Sequence, residues 1–271
     1  MLKNLLQLLR PAAHVNEPVR SQMKSNEASL DDRFAGCLVG QALGDALGFL
    51  VEGHPQDSCD AFVRDVVRPR RIPDQRRGRF TFGQYSDDTQ LARELCLSLV
   101  DAQRFEPADY AARIATLFPN DRVVGRGRAT EQAALRLASG VPWSQAGTPA
   151  PSAGNGSAMR AAPVGLVFGD RPMAMVKVAH TQSAITHRDP RCSAGSIVVA
   201  GATALALDDR PLNVYAFCHE LALWARRTTR SWRQRWRNFQ PGCITQSPRS
   251  LNGCARPIEK AHRTGAEYHP L

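Results

Sequence analysis

Asp31-Asp32-Arg33-Phe34-Ala35-Gly36-Cys37-Leu38-Val39-Gly40-Gln41-Ala42-Leu43-Gly44-Asp45-Ala46-Leu47-Gly48-Phe49-Leu50-Val51-Glu52 decides the fold class. Apolar pairs recur in it at Leu38/Val39, Ala42/Leu43, Ala46/Leu47 and Phe49/Leu50, which is helical spacing. Gly36, Gly40, Gly44 and Gly48 form a second row, each four residues after the last. A glycine inside a helix costs about 1 kcal/mol relative to alanine. Four in register therefore predict a compensating smooth ridge against which another helix packs closely. Gln41 and Asp45, midway along, argue against a helix lying in lipid.

Outward from this helix the pattern stays helical. Ser86-Asp87-Asp88-Thr89 reads as a helix start, and Leu91, Ala92, Leu95, Leu99 and Val100 trace one apolar face behind it. Further helices are predicted over 108–117, 130–138, 174–184, 191–207 and 211–225, and a short helical run through Met159 is checked near Pro163. Residues 53–85 and 140–155 read as loops, and the basic run Arg68–Arg79 as a solvated one. Strand signals are almost absent, so the expected class is all-α.

The 271 residues carry a formal charge of +10, which invites a nucleic-acid reading, but its location argues otherwise. Residues 226–271 hold ten Lys or Arg against two acids, while residues 1–225 hold 25 against 23. The body is nearly neutral and was not built as a basic nucleic-acid-binding surface. Three segments follow: a loose leader over 1–30, a helical domain over 31–225 and a basic irregular tail over 226–271, in which Trp232, Trp236 and Phe239 sit among arginines without helical or strand period. Disorder, a shifted reading frame and an arm gripping RNA all remain open for that tail. No run reaches the roughly 20 uncharged apolar residues of a membrane span, and the first ten residues lack a secretory core. Seven scattered cysteines, an odd number, do not make a disulfide framework, so a reducing compartment, the cytoplasm, is expected.

Four features can carry chemistry, each beside a plainer reading. Asp45 and Glu52 are seven residues apart on nearly one helix face, although a lone acid in an apolar helix is more often a hydrogen-bonded structural group. Ser86-Asp87-Asp88 serves as an ordinary helix cap, yet adjacent oxygen side chains also suit a hard cation. Gly154-Asn155-Gly156-Ser157-Ala158-Met159-Arg160 reads as a common Asn-Gly turn, or as a loop that lets backbone approach a phosphate. Thr186-His187-Arg188-Asp189-Pro190 is a capping turn that also places an imidazole.

In order, Gly40 to Glu52 (Gly-x-x-x-Gly-Asp-Ala-Leu-Gly-x-x-x-Glu), Tyr85 to Thr89, Gly154 to Gly165 and Thr186 to Pro190 resemble the ADP-ribosylglycohydrolase family, which includes the dinitrogenase-reductase-activating glycohydrolases. The resemblance runs from Asp31 to Ala225. It implies an all-helical fold around two magnesium ions, or manganese in some members, that hydrolyses ADP-ribose linkages in a modified protein or related conjugate. Position by position it implies Ser86, Asp87 and Asp88 as metal ligands, with Glu52 beside Asp87 and Asp88 in the catalytic group. It further implies Asn155, Gly156, Ser157, Met159 and His187 as substrate contacts, and leaves Asp45 open between structure and chemistry. The family's late Gly-Gly-Asp-x-Asp metal segment is not found in this sequence, whose last aspartate is Asp209. A defective centre is therefore one expectation. The alternative is a non-catalytic helical binding or structural relative with a vestigial metal site.

Overall fold

The computed structural model describes residues 28–119, 122–207 and 211–226. The tail beyond Arg226, with Trp232 and its neighbouring arginines, lies outside them, as does the leader apart from its last residues. Among the described residues the chain forms ten α-helices and one two-residue hairpin. They are α1 (Leu30–Gly48, continued by a 3-10 turn Phe49–Val51), α2 (Gln56–Phe62), β1 (Arg76–Arg77), β2 (Phe80–Thr81), α3 (Asp87–Ala102), α4 (Pro107–Leu117), α5 (Arg128–Ala138), α6 (Trp143–Ala146), α7 (Ala162–Phe168), α8 (Pro172–Ala184), α9 (Pro190–Ala206) and α10 (Val214–Ala225). The all-α expectation holds. The stretch expected as loop over 53–85 contains α2, a π turn over Val63–Val67 and the hairpin. The expected helical run through Met159 is a series of turns, and Pro163 stands in the first turn of α7 instead of ending a helix. Proline's fixed φ and missing N–H suit that position.

Local chemistry sets the ends of the elements. Ser29 caps α1 reciprocally: its hydroxyl accepts from the Asp32 amide, and Asp32 Oδ2 accepts from the Ser29 amide, both at 3.1 Å. The chain leaves the turn after α1 through Gly53 at φ +79°, a conformation glycine adopts without a Cβ clash. Asp189 caps α9 by accepting from the Arg191 amide at 3.0 Å, with Pro190 as the first helical residue.

Helix α9 is the central strut, packing against α7, α8 and α10, while α3 joins α1 to α4. Phe34, Leu91, Leu95, Leu99, Tyr110, Ile114, Leu166, Met175 and Ile197 are fully buried between these layers. Two glycines permit the close approaches. A Cβ on Gly165 would sit 2.1 Å from the Ala200 carbonyl oxygen, and one on Gly201 would sit 2.6 Å from the Trp224 ring.

The glycine row of α1 behaves otherwise. Among the described residues, a Cβ added at Gly36, Gly40, Gly44 or Gly48 would meet nothing within 4 Å, and Val39 and Leu43 beside them are 65% and 56% exposed. The helix instead packs on α3 and α7 through the side carrying Phe34, Cys37, Leu38 and Gln41. Two positions on from Phe34 and Leu38 is about 200° around a helix of 3.6 residues per turn, so the ridge points nearly the opposite way. Leu30–Val51 is long and apolar enough to cross a membrane on length and composition alone. Its polar side chains hold it in the bundle: Gln41 Nε2 donates to the Met159 carbonyl at 2.8 Å.

This contrast is testable by two substitutions of the same kind. Gly40→Ala should stabilise the protein by about 0.5–1 kcal/mol, since it removes backbone freedom from the unfolded chain and meets no neighbour. Gly165→Ala should destabilise it by about 1–3 kcal/mol through overpacking. Urea melts of the three proteins give both numbers, and a destabilising Gly40→Ala would show that the α1 ridge is covered.

Candidate active site

The site is built where α1 ends and α3 begins. Asp45, in the last turn of α1, accepts four hydrogen bonds from the start of α3. Its Oδ2 takes the Ser86 amide at 2.8 Å, the Thr89 amide at 3.1 Å and the Thr89 hydroxyl at 2.6 Å, while Oδ1 takes the Ser86 hydroxyl at 2.7 Å. Amides at a helix start have no intrahelical partner, and Asp45 supplies one from another helix. Of the two roles open for Asp45, this geometry assigns the structural one.

The clamp presents Asp87 and Asp88 to the same space. Asp87 is 5% exposed; its amide donates to the Val124 carbonyl at 2.7 Å, and its Oδ2 accepts weakly from the Gly127 amide at 3.4 Å. Gly125, at φ +75°, lets this loop close over it, since a Cβ there would lie 3.2 Å from Asp87 Oδ1. Gln90 fixes the loop from α3, donating to the Arg122 carbonyl and accepting from the Val124 amide. Burial, then the neighbouring Asp88, pushes the Asp87 carboxyl up to about 7, against the pull of the Gly127 amide. Burial, then Asp45 and Glu52, pushes Asp88 up to about 6. A helix N-terminus ordinarily favours carboxylate; here desolvation and mutual repulsion outweigh it.

Glu52 acts on both acids through its charge and is itself held from outside. Arg77 of β1 donates to Glu52 Oε2 at 2.6 Å and to the Phe49 carbonyl at 2.7 Å, and its guanidinium lies over the Phe49 ring. Part of the basic run expected as a solvated loop thus supports the site.

The glycine loop forms the other wall. Asn155 is exposed, Gly156 half-buried, and Ser157 fully buried with its hydroxyl donating to the Cys192 carbonyl at 3.1 Å. The half-buried Met159 packs against the core, and its carbonyl receives Gln41. His187 is 2% exposed, its ring against the loop: a Cβ on Gly156 would lie 2.7 Å from His187 Cε1 and 2.8 Å from Thr130 Oγ1. Burial, then the Arg160 charge, lowers His187 to about 4. Asp189 ties the loop to α9, accepting from the Ser152 amide at 3.0 Å and pairing with Arg191, which lowers its carboxyl to about 2.

Thr130 joins the two walls. Its buried Oγ1 has no hydrogen-bond partner among the described residues, and it lies 3.7 Å from the position of a Gly127 Cβ, which is 3.8 Å from Asp87 Oδ2. Of the predicted residues, Ser86, Asp87, Asp88 and Glu52 lie together and Thr130 links them to Gly156 and His187; Asn155 is exposed beside Gly156, while the Ser157 hydroxyl and Met159 turn into the interior and are not brought to the site surface. Thr130, Gly125, Gly127 and Arg77 were not anticipated, since no local pattern marks them.

A profile of the ADP-ribosylglycohydrolase family matches residues 26–265. The chain belongs to the ADP-ribosylglycohydrolase family. It is 30% identical over 182 residues to ADP-ribosylhydrolase ARH3 of Homo sapiens, covering 65% of this chain and 50% of that protein. It is 32% identical over 163 residues to ADP-ribosylarginine hydrolase Tri1 of Pseudomonas putida (strain GB-1), covering 58% of this chain and 42% of that protein. A solved ADP-ribosylglycohydrolase-related protein complex superposes with a TM-score of 0.55 at 28% identity, over 72% of this chain and 60% of that one. The chain spans about half the length of the curated relatives it matches.

Among the described residues no three His, Cys, Asp or Glu side chains gather as a metal-binding group. Asp87 and Asp88, with the Ser86 oxygen beside them, have the chemistry of a magnesium site, which needs only one or two carboxylates beside water or substrate oxygens. They fit one hard ion; the described residues do not furnish the acids of a two-ion cage.

Two outcomes follow. Asp45→Ala leaves the Ser86 and Thr89 donors without their acceptor and should cost about 3–5 kcal/mol, read from urea denaturation, whereas Thr89→Val should cost about 1 kcal/mol. The raised carboxyls set a pH dependence of opposite sign to an ordinary salt bridge. In metal-free protein the native state keeps protons that the unfolded chain has lost above about pH 4, so this contribution declines as pH rises through 7. Between pH 5 and 8, wild-type stability should fall by on the order of 2–3 kcal/mol more than that of Asp87→Asn. Equal pH slopes for the two proteins would contradict the burial of a strained carboxyl at Asp87.

Proposed function

We propose that this chain hydrolyses an ADP-ribose linkage, releasing ADP-ribose from a modified protein or related conjugate. One observation supports the reading: buried Asp87 and half-buried Asp88, both under the charge of Glu52, lie across Thr130 from Gly156 and His187 in a member of this family. The names of the relatives, an ADP-ribosylhydrolase and an ADP-ribosylarginine hydrolase, support the substrate class.

Cleavage at the anomeric carbon develops oxocarbenium character and needs an oriented sugar and a base for the attacking water. Asp87, the most buried of these acids, would hold and orient that water. Asp88, on the same helix start, holds the position beside it, and Glu52 stands at the exposed rim with Arg77 fixing its direction. The glycine loop admits ligand close to backbone, and the nearly neutral body fits recognition of pyrophosphate by N–H donors instead of a basic patch. Asp87, Asp88 and Ser86 would hold a divalent ion, magnesium or manganese, which when bound supplies Lewis-acid polarisation of water and ribose oxygens.

The test pairs activity with binding. Release of ADP-ribose from arginine- or serine-modified peptides should require added magnesium and fall at least about 100-fold in Asp87→Ala. Calorimetry should show magnesium binding tighter at pH 8 than at pH 6, with protons released, because the ion displaces those held by Asp87 and Asp88. A folded protein that binds neither magnesium nor ADP-ribose would overturn the reading in favour of a non-catalytic relative.

A further inference from the structure

Arg160 is an unusual group to find where it lies. Its side chain is fully buried, against the Tyr110 ring, and no carboxylate pairs with it among the described residues. Its Nε donates to Gln182 Oε1 at 2.8 Å, and its Nη2 donates to the Gln182 carbonyl at 2.9 Å and to Thr186 Oγ1 at 2.8 Å. Gln182 is itself locked, its amide donating to the Ser157 carbonyl at 2.9 Å and to Ser196 Oγ at 2.6 Å. Burying a guanidinium costs several kcal/mol that an apolar side chain of the same volume would not. Packing alone does not account for it.

The direction of the hydrogen bonds does. A guanidinium only donates, so Thr186 Oγ1 is an acceptor toward Arg160. The Thr186 hydroxyl is fully buried and still has one proton to place, and the acceptor within reach is His187 Nδ1, at 2.8 Å. Were Nδ1 protonated instead, the hydroxyl proton would be stranded in a dry interior without an acceptor. The imidazole proton then belongs on Nε2. That edge faces the glycine loop: Cβ atoms on Gly154 and Gly156 would lie 3.4 Å and 3.2 Å from Nε2.

We propose that Arg160 is a positioning residue which, through the Thr186 hydroxyl, holds His187 as the neutral imidazole protonated on Nε2, a fixed N–H donor at the Gly154–Gly156 loop for an anionic oxygen of the ligand. The tautomer follows from this chain's geometry alone; the ligand half rests on the ADP-ribose reading. His187 on this account orients and does not exchange protons during turnover. The guanidinium also opposes an imidazolium, as the lowered His187 value reflects.

Long-range proton–nitrogen correlation spectra of the ¹⁵N-labelled full chain, free of nucleotide, decide the tautomer, with His187→Gln identifying the resonance. Wild type and Thr186→Ser should show a pyridine-like Nδ1 and a pyrrole-like Nε2. Thr186→Val keeps the shape and removes the hydroxyl, and should populate both tautomers. A pyrrole-like Nδ1 in wild type, or a Thr186→Val spectrum identical to wild type, would overturn the relay. ADP-ribose calorimetry tests the donor role separately: Thr186→Val should weaken binding about tenfold and Thr186→Ser should restore it. Equal affinities for all three would remove that role. A wild type that binds no ADP-ribose at all would sink the functional reading and the donor role with it, while the nucleotide-free spectra still decide the tautomer.

Discussion

The four hydrogen bonds accepted by Asp45 are the constraint on which the site depends. They join the last turn of one helix to the first turn of another at a point where both chains must expose polar backbone. Without them the Ser86 and Thr89 donors would need water, and water at that junction would relieve the desolvation that shapes Asp87 and Asp88. The fold and the candidate site thus share one carboxylate whose oxygens are committed to hydrogen bonds within the protein. Its neighbours inherit the consequence: carboxyls with no equivalent clamp, pressed together and held near neutrality.

The opposite wall solves a different problem with the same economy of charge. Residues 148–156 lack helix or sheet over most of their length, so their backbone groups need partners from outside. Thr148 forms an isolated bridge to His187, with its amide donating to the Thr186 carbonyl and its carbonyl accepting from the Arg188 amide. Asp189 takes the Ser152 amide, and the Cys192 thiol lies against the carbonyls of Ser152 and Gly154. The Thr186–Asp189 turn therefore does two jobs, starting α9 and holding the glycine loop at a fixed distance from His187.

How much of this is legible in the sequence divides by range. Helix positions are local, and Leu91, Leu95 and Leu99 declare their face by spacing alone; all three are fully buried. The same spacing misleads at Gly36, Gly40, Gly44 and Gly48, because a regular row shows that one face is distinctive and does not say whether anything lies opposite it. Ser86, Asp87 and Asp88 are legible because a helix start with excess carboxylate is a local anomaly. Thr130, Arg77 and Arg160 are not, since each acquires meaning only from a contact far along the chain, such as the 28 residues separating Arg77 from the Phe49 carbonyl. Arg160 is the hardest case: the sequence places it at the end of the glycine loop, and only its full burial shows that it works inside the protein.

That burial also explains why the two walls carry charge so differently. The acid wall brings like charges together, which resist ionisation and would release protons to a cation bound there. The loop wall uses one buried cation that interacts with Asp87 only through space; a hydroxyl relays its direction to the imidazole. A cationic side chain in the cleft would pair with Asp87 or Asp88 and compete with any metal ion. A neutral N–H cannot. On the proposed relay, placing the guanidinium one hydroxyl behind the imidazole would let the site offer a neutral donor to an anion near two carboxylates, without the donor and the acids neutralising each other.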